Sequence, residues 1–168
     1  MTTLYTASVP VFKQMLSALS DVLNKAEAHA TDKKIDPAVF LQSRLYPDMF
    51  PLVRQVQIAA DFAKSVPSRL AGIEVPAYDD SEQTFAELQT RIKNTLTILD
   101  SITATQVDGK ETLEIVLRPN TPKEKKLSGE TYLLNYGLPQ FFFHVTTAYA
   151  ILRHNGVEVG KRDFMGAY

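Results

Sequence analysis

The stretch 139-PQFFFHVTTAYAILRHNGVEVGKRDFMGAY-168 sets a single histidine, His144, inside a strongly apolar run. Phe141, Val145, Ala148, Ile151 and Leu152 recur at three- and four-residue steps, the repeat of a helix with one buried face. The pattern predicts a helix from Asn135 or Leu138 to His154, where Asn155-Gly156 supplies a left-handed stop. His144 shares its face with Gln140, Ala148 and Ile151, because residues three, four and seven apart stack on one side. A titratable ring in such a seam needs a partner: a core hydrogen bond, a metal ion or a ligand.

Three further helices follow from the same periodicity. Leu4 to Ala30 reads as a long amphipathic helix through Val11, Met15, Leu19, Val22 and Ala26, with Pro10 marking its first turn or a kink. A polar connection and a short segment around Val39-Phe40-Leu41 lead to 46-YPDMFP-51, in which Asp48 is placed to cap a second helix. That helix carries Leu52, Val53, Val56, Ala59, Ala60 and Ala63 to about Val66, ahead of Pro67. A third helix is expected to begin near Asp79 to Ser81, with Phe85, Leu88, Ile92, Leu96 and Leu99 along one face. Between it and the last helix, Leu113 to Leu117 has strand character, and Leu127 to Leu134 is expected to return as its partner after the 119-PNTP-122 turn. The fold class is therefore all-α: a four-helix bundle, one domain over residues 1–168, with a long crossover carrying a β-hairpin between helices three and four.

Composition narrows the function classes. The 18 basic and 19 acidic residues give a net charge of -1, which argues against nucleic-acid or membrane partners. Without cysteine there are no thiolate nucleophiles or thiolate metal sites, and a metal would need His, Asp, Glu or amide ligands. The N-terminus lacks a signal-peptide pattern and no apolar run reaches membrane-spanning length, so the chain reads as cytoplasmic.

Candidate site residues gather around His144. Asp48 and Gln55 lie two helical turns apart, so both can face the same seam if the second and fourth helices are neighbours. With Gln140 they form a candidate ligand pocket in which His144 acts as ligand or base and Asp48 orients it. The competing reading makes His144 a core residue satisfied by Asp48 or Gln55. Arg153, His154, Lys161, Arg162 and Asp163 can bind an anion or simply form a solvated helix end. Lys123, Lys125 and Lys126 read as edge protection of the ribbon. The rings of Phe141, Phe142 and Phe143 point in three directions, so at least one is expected to meet another element or a second subunit; a homodimer is the partner expected.

The motifs 45-LYPDMFPL-52 with 54-RQVQ-57, and 143-FHV-145 through 153-RHNG-156 to 160-GKRDFMG-166, resemble a bacterial family of unknown function among the DinB/YfiT-like helical bundles. The resemblance covers nearly the whole chain. It implies a four-helix bundle, often dimeric, in a superfamily rich in metalloenzymes. These take one histidine from the second helix and an i, i+4 pair from the fourth, and several are thiol-dependent transferases or isomerases. Here Gln140 and Ala148 stand four residues either side of His144, and the second helix has no histidine. The resemblance thus implies a divalent metal as cofactor with His144 as candidate ligand, while the three-histidine pattern is absent. The rival class is a non-catalytic, dimeric interaction or binding protein.

Overall fold

The computed structural model describes residues 2–168 and contains four long helices: α1 (Val9–Lys33), α3 (Leu52–Leu70), α4 (Phe85–Ser101) and α7 (Leu138–His154). Shorter elements join them: α2 (Pro37–Gln42), α5 (Ala104–Val107), strands β1 (Glu114–Leu117) and β2 (Lys125–Ser128), α6 (Gly129–Thr131) and the C-terminal α8 (Lys161–Met165). Helix α3 packs against both α7 and α4, and α1 closes the other side. Phe12, Leu16, Leu19 and Leu23 of α1 are sealed in the core, and Phe12 meets Phe141 edge to face at 4.8 Å. Among the described residues no helix is long and apolar enough to cross a membrane.

The expected boundaries shift where local hydrogen bonding decides. Pro10 sits in the first turn of α1, where a missing N–H costs nothing. Helix α3 runs through Pro67 to Leu70, because Pro67 is buried among its core residues and a tighter stop lies beyond it. There Ile73 N donates to Ser68 O at 2.9 Å and Gly72 N to Arg69 O at 3.2 Å, a Schellman closure. Helix α7 ends in the same way at Gly156, which has φ +87°. Helix α4 starts at Phe85, capped by Thr84, and not near Asp79 to Ser81. Thr84 and Glu87 form a reciprocal capping box, and Glu87 is held below its ordinary carboxylate range by the N–H groups of Gln83 and Thr84 and the Thr84 hydroxyl.

The ribbon is antiparallel, pairing Glu114 with Ser128 and Leu117 with Lys125. Its second strand is Lys125–Ser128, earlier than expected; the segment expected as strand, up to Leu134, is mostly helical instead. Ser128 caps α6, and residues Tyr132–Gly137 widen into a π-helical turn before α7. Gly137 at the end of that turn has no room for a side chain: a Cβ there would lie 2.7 Å from Val66 Cγ2. The absence of a side chain lets α7 close on α3, the seam on which the candidate site lies.

Candidate functional site

Helices α3 and α7 bring Gln55 and His144 into direct contact. His144 is buried, and its Nδ1 lies 2.7 Å from Gln55 Oε1. Gln55 Nε2 in turn donates to Phe50 O at 3.0 Å. That second bond fixes the amide: a flipped Gln55 would set two acceptors against each other at Phe50. The amide oxygen must face the imidazole, so Nδ1 carries the proton and donates, leaving Nε2 as a lone-pair acceptor. Nε2 makes no hydrogen bond among the described residues, yet it is not one of the sealed unpartnered atoms, which are Ser68 Oγ and Arg91 Nε. It therefore keeps a small solvent-accessible surface.

The surroundings hold the ring neutral. Burial, and then the nearby Arg54 charge, push the His144 pKa down from 6.5 to about 4. Phe62 lies parallel to the imidazole at 6.2 Å and Phe143 meets it edge to face at 5.2 Å. Phe143 and Phe50 are exposed large hydrophobic residues, and so are Leu45 and Tyr46 on the turn before α3. The site is thus a neutral acceptor held between the rings of Phe62 and the exposed Phe143.

The other expected members are placed differently. Asp48 is exposed in the turn ahead of α3 and makes no hydrogen bond or ion pair among the described residues. It neither caps α3, whose first free amides follow Pro51, nor reaches His144. Gln140 lies one turn before His144 but lines a cavity of about 510 Å³ beneath the ribbon. A second cavity of about 220 Å³ adjoins it, sharing Leu117, Arg118 and Tyr136. Phe62 forms part of the wall of the second cavity while stacking on His144. In the C-terminal group, Asp163 caps α8 through Gly160 N at 2.7 Å and pairs with Lys25 at 2.6 Å. It serves as a clasp onto α1.

One charged centre was not anticipated. Arg91 of α4 is buried and pairs with Asp61 at 2.8 Å, Asp80 at 3.0 Å and Glu82 at 2.8 Å. Lys64, also buried, pairs with Asp61 at 3.0 Å and lies 3.5 Å from the centre of the Tyr78 ring. Arg54 bonds Asp80 and reaches Gln57 at 3.1 Å, and Gln57 donates to Glu82 at 2.7 Å. Burial works to raise the Asp80 pKa, but Arg54 and Arg91 outweigh it and hold the carboxyl below its ordinary range. The network pins the irregular connection between α3 and α4. The signal for it was an arginine on the stripe of Leu88, Ile92, Thr95 and Leu99, a position that a solvated residue would not occupy.

Residues 4–165 match the family described as "Domain of unknown function (DUF1993)". The chain belongs to that family. A solved DinB family member protein from Shewanella denitrificans shares 46% identity with this DUF1993 chain, covering 98% of it and 93% of the other, with a TM-score of 0.92. No curated protein matches. The fold expected from the sequence is the fold of that relative, a mostly helical DinB-type bundle with one two-stranded hairpin.

The metal implied by the wider superfamily does not fit this DUF1993 seam. The site offers one imidazole, the facing amide oxygen is committed to the Nδ1 proton, and Ala148 has no donor atom. Among the described residues no group of three His, Cys, Asp or Glu side chains is placed to hold a cation. Fewer than three convergent donors give a weak site for a divalent ion.

Proposed function

We propose that this DUF1993 protein binds a small organic molecule at the α3–α7 seam, the ligand donating a hydrogen bond to His144 Nε2 while its apolar body lies against Phe50 and Phe143. The observation that supports this is the Phe50–Gln55–His144 relay, which spends the ring's proton inward and presents a lone pair outward. A purely structural histidine has no need of a fixed outward acceptor beside exposed aromatic rings. Binding is favoured over proton transfer. With a pKa of about 4, Nε2 is a poor general base at neutral pH, since such catalysis works best when the pKa lies near the working pH. A transferase or isomerase activity, which the fold likeness suggests, would need a stronger base than this one.

Indole, an aromatic body with one N–H donor, is a suitable first probe. In protein labelled on imidazoles and backbone amides it is expected to shift the His144 Nε2 resonance and the amide resonances around Phe50, Gln55 and Phe143 saturably, the amide shifts being lost in His144→Phe. A folded wild-type protein whose Nε2 signal ignores indole and related aromatic donors would refute the proposal. Zinc added at equimolar concentration is expected to leave the resonance unchanged.

A second reading is favoured by the exposure of Phe50 and Phe143, which together suit a homodimer contact covering the same site. Light scattering separates the two: a stable dimer that dissociates on Phe143→Glu supports the contact, and a monomer supports an open ligand site. The proposal includes a cytoplasmic setting, with which a cysteine-free chain is compatible.

A further inference from the structure

The two joined cavities under the ribbon carry an arrangement separate from the His144 relay. Arg118, just after β1, lines both of them, and its backbone holds a left-handed conformation with φ +52°. Its guanidinium makes no hydrogen bond or ion pair among the described residues. Lys123 and Lys125 line the larger cavity, and their ammonium groups are likewise unpaired.

The ribbon's own anions are already engaged. Glu124 also lines the larger cavity, but its carboxylate accepts from Asn120 N at 2.8 Å. Lys126 is on the opposite face of the strand and pairs with Glu114 at 3.3 Å. In the smaller cavity Asp61 is committed to Arg91 and Lys64, and Arg69 donates to the Tyr132 hydroxyl at 2.9 Å. Three cations thus line one concavity against a single carboxylate, Glu124, which pairs with none of them and is turned to the Asn120 amide, in a chain whose net charge is -1. Solubility alone does not call for that convergence, because like charges gathered in a concave wall repel one another.

The opposite wall is aromatic. Tyr136, aimed by the π-helical turn, lines both cavities and meets Phe62 edge to face at 5.8 Å. The combined space of about 510 and 220 Å³ suits a small molecule.

We infer that the groove between the ribbon and the α3–α7 face is a binding site for a small aromatic or apolar oxyanion, a carboxylate or phosphate ester, with Arg118 as the anion's principal donor, Lys123 and Lys125 as supporting charges and Tyr136 against its body. Arginine suits the role because its planar fork matches two oxygens at once. The inference goes beyond the reading of His144 and does not depend on it, since Phe62 stands between the imidazole and the groove.

The test is a titration of the isotope-labelled full chain with phenyl phosphate and with benzoate at low salt, followed by amide resonances, with benzyl alcohol as the neutral control. Saturable shifts in residues 117–125 and 136–140 are expected for at least one anion and not for benzyl alcohol. Comparing the two anions distinguishes a phosphate from a carboxylate ligand. Arg118→Gly removes the charge at a backbone position glycine accepts readily, so the fold is expected to persist while the affinity falls by ~10-fold or more. Lys125→Gln is expected to weaken binding, and Lys126→Gln and His144→Phe to leave it unchanged. Shifts scattered over all surface lysines without saturation, equal binding of benzyl alcohol, or undiminished affinity in folded Arg118→Gly and Lys125→Gln would each overturn the inference.

Discussion

Lowering the pH from 7 to 4 should weaken this fold through His144 before most carboxylates respond. In the folded chain burial and Arg54 hold the His144 pKa at about 4, against 6.5 for the unfolded residue. Between those values the unfolded chain binds a proton that the folded chain refuses. Stability is therefore complete above pH ~6.5 and falls as the pH drops towards ~4, below which both states are protonated. The linkage relation gives a loss of about 2 kcal/mol by pH 5 and about 3 kcal/mol by pH 4. For a chain of this length, 2 kcal/mol corresponds to a Tm drop of about 4–8 °C.

The assay is urea denaturation of wild type and His144→Phe at pH 7, 6, 5 and 4.5. Phenylalanine has no titration, so other groups contribute alike to both proteins and cancel in the difference. Asp80 and Asp163, whose pKa values are lowered by their partners, act mainly at the acid end. The wild-type advantage over the variant should shrink steadily from pH 6.5 downward. Parallel curves for the two proteins would refute the reasoning, because they would mean that His144 titrates in the fold as it does in the open chain.

Other perturbations have separate readouts. Gln55→Leu removes the acceptor for His144 Nδ1 and the donor to Phe50 O, and should cost about 1–3 kcal/mol in chemical denaturation. Arg91→Leu leaves Asp61, Asp80 and Glu82 without their shared cation and should cost about 3–5 kcal/mol, with faster proteolysis between residues 71 and 84 as the marker of a released connection. Gly137→Ala drives a Cβ against Val66 and should cost about 1–3 kcal/mol, with partial rescue by Val66→Ala in a double-mutant cycle.

Much of this architecture can be read from hydrophobic spacing, because the four long helices each bury one continuous stripe. The pairing of Gln55 with His144 follows from the same logic: each is a polar residue on a buried face, and neighbouring helices force them to satisfy one another. Asp48 failed as a partner because Pro51, not Asp48, stands at the start of α3 and leaves the preceding turn in solvent. The π-helical turn was hidden because Leu133, Tyr136 and Leu138 keep an apolar rhythm that strand and helix both accept. Arg91 stays hidden in the sequence: its place on the stripe is visible, but the acidic side chains that meet it come from α3 and from a connection with no periodicity of its own. The lysines of the ribbon looked alike in sequence, and only strand alternation sorted Lys126 to one side and Lys125 to the other.

The proposed binding site turns on the state of one imidazole. Nitrogen resonances of histidine-labelled protein, recorded from pH 7.5 down to 4, report directly which ring nitrogen of His144 carries the proton and when the second arrives. The predicted result is a neutral ring protonated on Nδ1 at pH 7, with Nε2 unprotonated and a midpoint near 4. A ring protonated on Nε2, or a midpoint near 6.5, would contradict the inward relay and with it the outward acceptor on which the proposed binding site depends.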